Sequence, residues 1–351
     1  MSLPASPLLR WAALALVSLL LAGLLEAIGL SAGLLLGPML AGIAFGAGGA
    51  GLSLPRWTFL SAQAVIGCLI AGTLSAGIFT AVVREWPLFL GVTAATLGAS
   101  SFLGYWLSRW QVLPGTTAIW GSMPGAASAM VVMAEAFGAD VRLVAFMTYT
   151  RVVCVAGVAS ALAAGFGAHH DGSWLHTLMT PAPLLPTLAT LAVAAVGVAG
   201  ALAVRLPAPA LLGPLALGVT LHLSGIVRLS LPEPVLACSY ALIGWRIGLA
   251  FTRETLRLAA RAAPRVLLSV AILIGFSTVL ALLLARFTHL DLVTAYLAVS
   301  PGGLDSVAII ATSVPVDQPF VMAMQTLRFL AVLGAGPLLA RWVARRLQPV
   351  T

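Results

Sequence analysis

The sequence predicts an all-α polytopic membrane protein made of two inverted repeats, each with about five membrane spans and one Pro-Gly broken or re-entrant segment. Three observations lead to this fold class. The composition is 61% hydrophobic and 8% charged with a mean hydropathy of +1.08, which leaves too little polar surface to coat a soluble protein of 351 residues. The sequence also repeats itself at a fixed offset, and its basic residues are unevenly distributed between the loops.

The duplication is visible as identical residues that recur 177 positions apart. A fixed register over most of the chain is not expected by chance, even in a sequence rich in Gly and Ala. We therefore predict repeat 1 over residues 1–167, an extracytoplasmic linker over 168–182 and repeat 2 over 183–351, together forming one membrane domain. The pairs that carry the register best are Pro124 with Pro301, Gly125 with Gly302, Asp140 with Asp317, Met147 with Met324 and Arg151 with Arg328.

Each half contains six apolar segments, most of which approach the length of about 20 residues that a membrane-spanning helix needs. The connections between them are short, so the chain offers no stretch for a separate soluble domain. The segments are 8–30, 32–50, 57–82, 86–108, 115–137 and 141–166 in the first half, and 183–204, 208–227, 233–252, 266–286, 293–314 and 318–340 in the second.

The arginines decide whether the segments 115–137 and 293–314 cross the membrane. All 18 basic residues are Arg and most lie where apolar segments end, which indicates a topology signal and excludes a nucleic-acid-binding patch as the cause of the +8 charge. If both segments enter and return, each half has five spans, both termini are cytoplasmic, and twelve arginines lie inside against three outside. Full crossing would give a near-even split, so the positive-inside rule favours the inverted arrangement. The run 253–265 has helical spacing, and an interfacial amphipathic helix remains the alternative for it.

Pro-Gly in the middle of an apolar segment breaks a helix, because Pro removes a backbone donor and Gly removes the constraint on φ. Lipid does not tolerate unpaired backbone groups, so the break must be buried in protein, face water or bind a ligand. Two breaks in equivalent positions are typical of a transporter site near the bilayer midplane. The alternative is a pair of structural kinks.

Two arginines lie about ten residues into their apolar segments, where each needs a partner. We expect Asp140 and Asp317 to cap the starts of these helices, and Asp305 and Ser128 to meet the guanidinium groups across the repeat interface. A structural ion pair is the alternative role for each Arg. Residues one turn before each Arg share its helix face and are candidate solute contacts. The predicted substrate-binding residues are Pro124, Gly125, Ser128, Thr148, Arg151, Pro301, Gly302, Gly303, Asp305, Gln325 and Arg328.

The two breaks differ in sequence. Ala126 stands in the first break where Gly303 stands in the second, and its Cβ restricts close approach of a ligand to the backbone. Asp305 is ionisable whereas its equivalent Ser128 is not, so a coupled proton or Na⁺ should engage the second repeat. No catalytic or metal-binding motif is found, and we predict neither an enzyme nor a resident cofactor or metal.

The repeated motif, Pro124-Gly125 to Arg151 and Pro301-Gly302-Gly303 to Arg328, resembles that of the bacterial inner-membrane AbrB-type duplication family over nearly the whole chain. The pattern departs from the family at Ala126, where Gly is usual, and at Pro315-Val316, where Gly-Ala is usual. Members carry labels such as "regulator" or "ammonia monooxygenase" and look like membrane transporters. The resemblance implies a multi-pass protein of the inner membrane.

Two functions are therefore predicted from different classes. The first is a secondary transporter that moves a small anionic organic solute by alternating access at the two broken helices, with Arg selecting for carboxylate. The second is a membrane-embedded sensor or regulatory protein that acts through a partner, although the chain offers no soluble output domain. The expected partners are the solute and the lipid bilayer, without nucleic acid, and a homodimer is left open.

Overall fold

A computed structural model describes most of the chain as α-helix. It describes residues 6–27, 33–74, 82–83, 85–110, 116–125, 127–165, 183–206, 208–302, 307 and 316–347. The predicted linker 168–182 lies outside these residues, as do Ala126, Gly303 and Asp305. Helix α6 includes Ser128, but its side chain is not among those described.

Thirteen helices and no strand occur in the described ranges, as the all-α prediction requires. The helices of the first half are α1 (Pro7–Ala27), α2 (Gly33–Ala47), α3 (Arg56–Thr73), α4 (Trp86–Arg109), α5 (Thr117–Ser122), α6 (Ala127–Ala136) and α7 (Val141–Gly165). Those of the second half are α8 (Leu184–Ala203), α9 (Pro209–Leu223), α10 (Glu233–Gly248), α11 (Arg253–Thr288), α12 (Leu292–Val299) and α13 (Gln318–Leu347).

Five of these helices are long and apolar enough to cross a membrane by length and composition, namely α1, α4, α8, α11 and α13. Helices α2 and α9 are apolar but only 15 residues long, and each contains an internal proline, Pro38 or Pro214. The membrane-helix character of the chain is therefore confirmed. The ten-span count and the inverted insertion of the two halves stay predictions.

Helices in the two halves begin at the offset seen in the sequence. The starts of α1 and α8, at Pro7 and Leu184, are 177 positions apart. The same interval separates the starts of α3 and α10, at Arg56 and Glu233, and those of α7 and α13, whose first residues are 141 and 318. Three pairs of helices thus begin at equivalent positions of the duplicated sequence.

Helix α11 differs from its predicted boundaries. The sequence predicts a span over 266–286 that is separate from the run 253–265, whereas the structure has one continuous helix of 36 residues. Its buried side chains recur every three or four residues from Ala259 to Leu284, which gives the helix one continuous packing face. Ala, Leu and Arg are strong helix formers, and Pro264 is accommodated within the helix.

The chain forms two compact units, and each unit draws helices from both halves of the sequence. The first unit comprises residues 1–75 and 171–256, and therefore contains α1 to α3 and α8 to α10. Close approach of its helices depends on equivalent glycines in α3 and α10. A Cβ at Gly67 would lie 2.6 Å from the Leu211 carbonyl oxygen of α9, and one at Gly244 would lie 2.8 Å from the Leu35 carbonyl oxygen of α2. Small residues at such crossings are typical of packed membrane helices.

The second unit comprises residues 76–170 and 257–351, and contains both Pro-Gly segments. Within it, α7 of the first half contacts α12 of the second half, and α13 of the second half contacts α5 of the first. Buried side chains of α11, including Ala262 and Val266, share one apolar cluster with Leu143 and Met147 of α7. The unit boundaries divide the chain differently from the predicted repeats, whose limits stay a prediction.

Candidate functional site

Helices α5 and α12 both end just before the Pro-Gly pair. Met123 follows the last residue of α5 with a ψ of 130°, and Ser300 follows the last residue of α12 with a ψ of 137°. Both residues immediately precede a proline, Pro124 or Pro301, and the proline ring disfavours the helical conformation in the residue before it. The prolines therefore end these helices, and the last carbonyl groups of each lack the usual intrahelical donors.

Arg151 caps the exposed carbonyls of α5. It lies in the middle of α7, and its side chain is 1% exposed. Its Nη1 donates to the carbonyl oxygens of Ser122 at 2.9 Å and Met123 at 2.8 Å, with a longer contact of 3.4 Å to Gly121. The positive charge also lies at the negative end of the α5 dipole, which favours this position.

Arg328 caps the exposed carbonyl groups at the end of α12 in the same way. Its side chain is 2% exposed, and its Nη1 donates to the carbonyl oxygens of Ser300 at 2.8 Å and Val299 at 3.4 Å. These acceptors are equivalent to Met123 and Ser122 in the first repeat. The two arginines thus make the same contact with the same element of each repeat.

The other nitrogens of Arg328 are also engaged. Nε donates to the Pro124 carbonyl oxygen at 3.0 Å, and Nη2 donates to Gln325 Oε1 and to the Gly302 carbonyl oxygen at 3.4 Å. Gln325 in turn donates from Nε2 to the Leu297 carbonyl oxygen at 2.6 Å, which adds a further bond to α12. Arg328 therefore holds the breaks of both repeats together.

Arg151, in contrast, does not have acceptors for all of its side-chain nitrogens. Its Nε and Nη2 find no hydrogen-bond partner among the residues that the structure describes, and the same is true of the Thr148 hydroxyl one turn earlier. Thr148 occupies the position equivalent to Gln325, so the side chain that completes the second site is replaced by a shorter one in the first. Thr148 and Gln325 are both buried, with 0% and 1% of their surface exposed.

The two guanidinium groups lie close together, because Arg151 donates to the Met123 carbonyl and Arg328 to the carbonyl of the next residue, Pro124. Neither forms an ion pair with a described carboxylate, and the salt bridge found in these ranges joins Arg142 to Asp140 at 3.1 Å near the surface. The buried part of the second unit thus carries two like charges without a described counter-charge. Such a site has an electrostatic preference for an anion.

A small cavity lies beside Arg151. It is bounded by α4, α5, α7 and α11, and Arg151 is the charged residue among the described side chains that line it. Most of its wall is apolar, contributed by residues such as Met147 and Val270. In this conformation the cavity has room for about one water molecule.

Asp140 and Asp317 cap the helices that carry the two arginines, as predicted. Asp140 Oδ1 accepts from the backbone N–H of Arg142 at 3.0 Å, and Asp317 Oδ1 accepts from that of Phe320 at 3.0 Å. A contact that the sequence analysis missed precedes each cap. The hydroxyls of Thr117 and Thr294, which lie at the common offset, accept from the backbone N–H groups of Asp140 and Asp317 at 3.3 and 3.1 Å.

The structure brings together many of the predicted site residues in the second unit. Pro124, Arg328 and Gln325 are joined by hydrogen bonds, and Gly302 lies against Val155 of α7. The predicted contacts of Ser128 and Asp305 with the arginines fall outside the described residues and stay predictions. The described partners of Arg151 and Arg328 are instead backbone carbonyls and Gln325. Pro301 is buried next to Gly302, Gly125 lies against Met130, and Thr148 and Arg151 share one face of α7.

No group of three or more His, Cys, Asp or Glu side chains that could hold a metal ion is found within the ranges described. The polar chemistry of the site is therefore that of guanidinium groups, one carboxamide, hydroxyls and backbone carbonyls. This set binds anions and hydrogen-bonding groups.

Comparison with known proteins gives a consistent similarity over nearly the whole chain. Residues 34–344 match a family model described as "Transition state regulatory protein AbrB". The chain is 44% identical over 340 residues to a protein of Escherichia coli (strain K12) named "Putative regulator AbrB", covering 96% of this chain and 97% of that protein. It is 25% identical over 312 residues to "Uncharacterized protein YhjN" of Bacillus subtilis (strain 168), covering 80% and 77% of the two chains. No solved structure matches the chain.

Proposed function

This chain belongs to the AbrB family, and we propose that it is a secondary transporter, which moves a small anionic organic solute by alternating access at the interface of two broken helices. The observation that carries the proposal is the pair of buried arginines, 1% and 2% exposed, which lie beside equivalent helix ends without a described carboxylate partner. The same chain would have no resident cofactor and no catalytic role.

Burial of two guanidinium groups has a substantial energetic cost. A single Arg at the centre of a membrane helix costs about 2.5–3.5 kcal/mol on insertion scales. Hydrogen bonds from a charged donor to carbonyls recover about 1.5–3 kcal/mol each, so the bonds of Arg328 and the two short bonds of Arg151 can each offset the cost of burial. A purely structural role does not explain why one Arg retains free donors. An anionic ligand does, because it neutralises the charge and accepts from these donors.

The broken helices supply the element that can move. Each break consists of a helix end that is held by an arginine on another helix rather than by its own continuing chain. Exchange of these carbonyl contacts for ligand contacts would let the helix ends shift with little loss of hydrogen bonding. This is the arrangement that supports alternating access around a fixed site in transporters with discontinuous helices.

Coupling and location follow from the sequence. Asp305 is the proposed site for a coupling proton or Na⁺, because it follows the second break and its equivalent in the first repeat is the non-ionisable Ser128. The arginine distribution supports cytoplasmic N- and C-termini in the bacterial inner membrane. From the predicted substrate-binding set the proposal retains Arg151, Ser128, Gly303 and Asp305, while Arg328 holds the two helix ends.

Uptake by the purified full chain in proteoliposomes tests the proposal. Labelled small carboxylates should accumulate under a proton or Na⁺ gradient, and cations and neutral analogues of the same size should not. Conversion of both buried arginines to Gln should abolish uptake, while Arg265→Gln on the exposed side of α11 serves as the matched control and should leave it unchanged. Absence of gradient-driven anion movement across a broad carboxylate panel would refute the transporter function.

A second function is favoured by the name of the Escherichia coli relative, "Putative regulator AbrB", and by the description of the family model. On that hypothesis the protein binds a solute and passes the signal to a separate partner. The two functions are separated by reconstitution, because a transporter moves solute as the purified protein alone whereas a sensor binds solute without net flux.

A further inference from the structure

We infer that the two arginines have different tasks: Arg151 binds the anion, Arg328 positions the broken helices, and the ligand is a monocarboxylate whose short apolar tail enters the cavity beside Arg151. This inference rests on the proposed function, since it names the ligand class and the binding group for the same anion site. It is carried by the hydrogen bonds of the two side chains and by the composition of the cavity wall.

Arg328 has no nitrogen left for a ligand. Nε, Nη1 and Nη2 each donate to acceptors of the protein, and the Gln325 carboxamide that accepts from Nη2 is itself held by the Leu297 carbonyl. A carboxylate could reach this guanidinium only if several of these bonds broke. The bond to the Pro124 carbonyl also links the second repeat to the first break, which is what a positioning residue does.

Arg151 presents the complementary case. Nη1 alone caps α5, whereas Nε and Nη2 are without a partner in the described part of the chain. These two nitrogens form one edge of the planar guanidinium, with two parallel N–H groups that match the two oxygens of a carboxylate. The unused edge belongs to a side chain that is 1% exposed and that lines the cavity.

The cavity wall defines the rest of the ligand. Met147, Val266, Val270 and Leu273 supply an apolar surface. The hydroxyl of Ser122 donates to the Ile119 carbonyl at 3.0 Å and that of Ser269 donates to the Val266 carbonyl at 2.7 Å, so neither offers a free donor to a second anionic group. A dicarboxylate would bury one charge against this wall without a partner, at a high desolvation cost.

The volume sets the size of the tail. The cavity holds about one water molecule in this conformation. A tail of two to four carbons requires only local opening between α7 and α11, whereas a long acyl chain would require these helices to separate. Each added methylene should raise affinity about fourfold until the cavity is full.

Equilibrium binding and thermal unfolding of the purified full chain test the inference with acetate, butyrate, succinate and inorganic phosphate as probes. Butyrate should bind the wild type at least tenfold more tightly than acetate, with succinate and phosphate weaker than butyrate. Arg151→Lys should weaken butyrate binding by tenfold or more, because the ammonium cannot make the bidentate contact. Arg328→Lys should lower the melting temperature yet change butyrate affinity less than threefold.

Two further variants keep the test decisive if Arg151→Lys is poorly folded. Ser269→Val and Val270→Phe fill the cavity from α11 without touching the guanidinium, and both should reduce butyrate binding more than acetate binding. Arg265→Lys is the matched control on the exposed side of the same helix and should change neither quantity.

The outcomes separate this inference from the proposed function. If Arg328→Lys abolishes binding and Arg151→Lys does not, the assignment of tasks is overturned while anion transport stands. If succinate or phosphate binds as tightly as butyrate, the ligand class is overturned. If the wild type neither binds nor transports any anion of the panel, the transporter function itself fails.

Discussion

At the residue scale, the prolines and arginines of the two repeats act as pairs. Each proline ends a helix by restricting the residue before it, and each arginine supplies the donors that the ended helix lacks. The functional difference between the repeats lies one turn before each arginine, where Gln325 completes one network and Thr148 leaves the other open.

We expect Gly302→Ala to destabilise the protein. A Cβ at this position would lie 3.0 Å from Val307 Cγ2 and 3.3 Å from Val155 Cγ1, and β-branched side chains have little freedom to move away. Overpacking of this kind costs about 1–3 kcal/mol. Thermal unfolding in detergent should show a lower midpoint for Gly302→Ala than for Gly98→Ala.

Gly98 is the control because a Cβ there meets nothing within 4 Å, and Ala is favoured over Gly inside a helix. Gly125→Ala should be milder than Gly302→Ala, since its Cβ would meet the flexible side chain of Met130. Equal midpoints for Gly302→Ala and Gly98→Ala would show that the second break is loosely packed.

Part of this site was predictable from the sequence and part was not. The caps at Asp140 and Asp317 follow from their position before apolar helices, and the helix ends follow from the prolines. The sequence predicts side-chain partners for the arginines, whereas the described acceptors are largely backbone carbonyls. Every residue has a backbone carbonyl, so the residue types do not indicate which carbonyl accepts from an arginine. Only the fold shows which helix end each arginine reaches.

At the scale of elements, close helix crossings depend on glycines that recur at the common offset. Gly67 and Gly244 occupy equivalent places in α3 and α10, and each faces backbone of a helix from the other half. Their recurrence was visible in the sequence, but the neighbour of each was not, because periodicity identifies a face and not the helix that packs on it. Backbone atoms cannot rotate away as side chains can, so these crossings tolerate little added volume.

We expect Gly67→Ala and Gly244→Ala each to lower the unfolding midpoint, by a free energy of about 1–3 kcal/mol. The added Cβ would lie 2.6 or 2.8 Å from a carbonyl oxygen, which forces the helices apart. Gly91→Ala and Gly275→Ala are matched controls, since a Cβ at either position meets nothing within 4 Å. The packing role would be contradicted if the controls and the test variants unfolded at the same temperature.

At the scale of the whole molecule, helix α11 is longer than a membrane span, which matters for how the chain is inserted in the membrane. A helix of 36 residues is about 54 Å long, which exceeds a hydrocarbon core of about 30 Å. Its first turns carry four exposed arginines at 253, 257, 261 and 265, and its later part is apolar. The sequence predicts both the arginine-rich run and the apolar span, but not that they form one helix. The first is recognised by the helical spacing of its charges and the second by its hydrophobicity, and neither pattern shows that the helix is continuous.

We expect single cysteines placed at positions 171 and 257 to be labelled from opposite sides of the membrane. The reason is that the inverted arrangement puts the linker 168–182 outside and the arginine stripe inside. Impermeant maleimide labelling of intact cells and of inverted vesicles, in a background with Cys68, Cys154 and Cys238 replaced, provides the measurement. Labelling of both positions from one side would exclude five spans in each half.

The interleaving of the two compact units has a consequence for how the chain is made. Residues 1–75 meet 171–256 in one unit, and 76–170 meet 257–351 in the other, so neither half of the sequence contains a complete unit. During synthesis the first half must wait in the bilayer, with its glycine crossings and the Pro124 carbonyl unpartnered, until the second half has been inserted. A ribosome that stalls after the linker would therefore leave an intermediate with unpartnered packing surfaces, which is suited to capture by membrane chaperones.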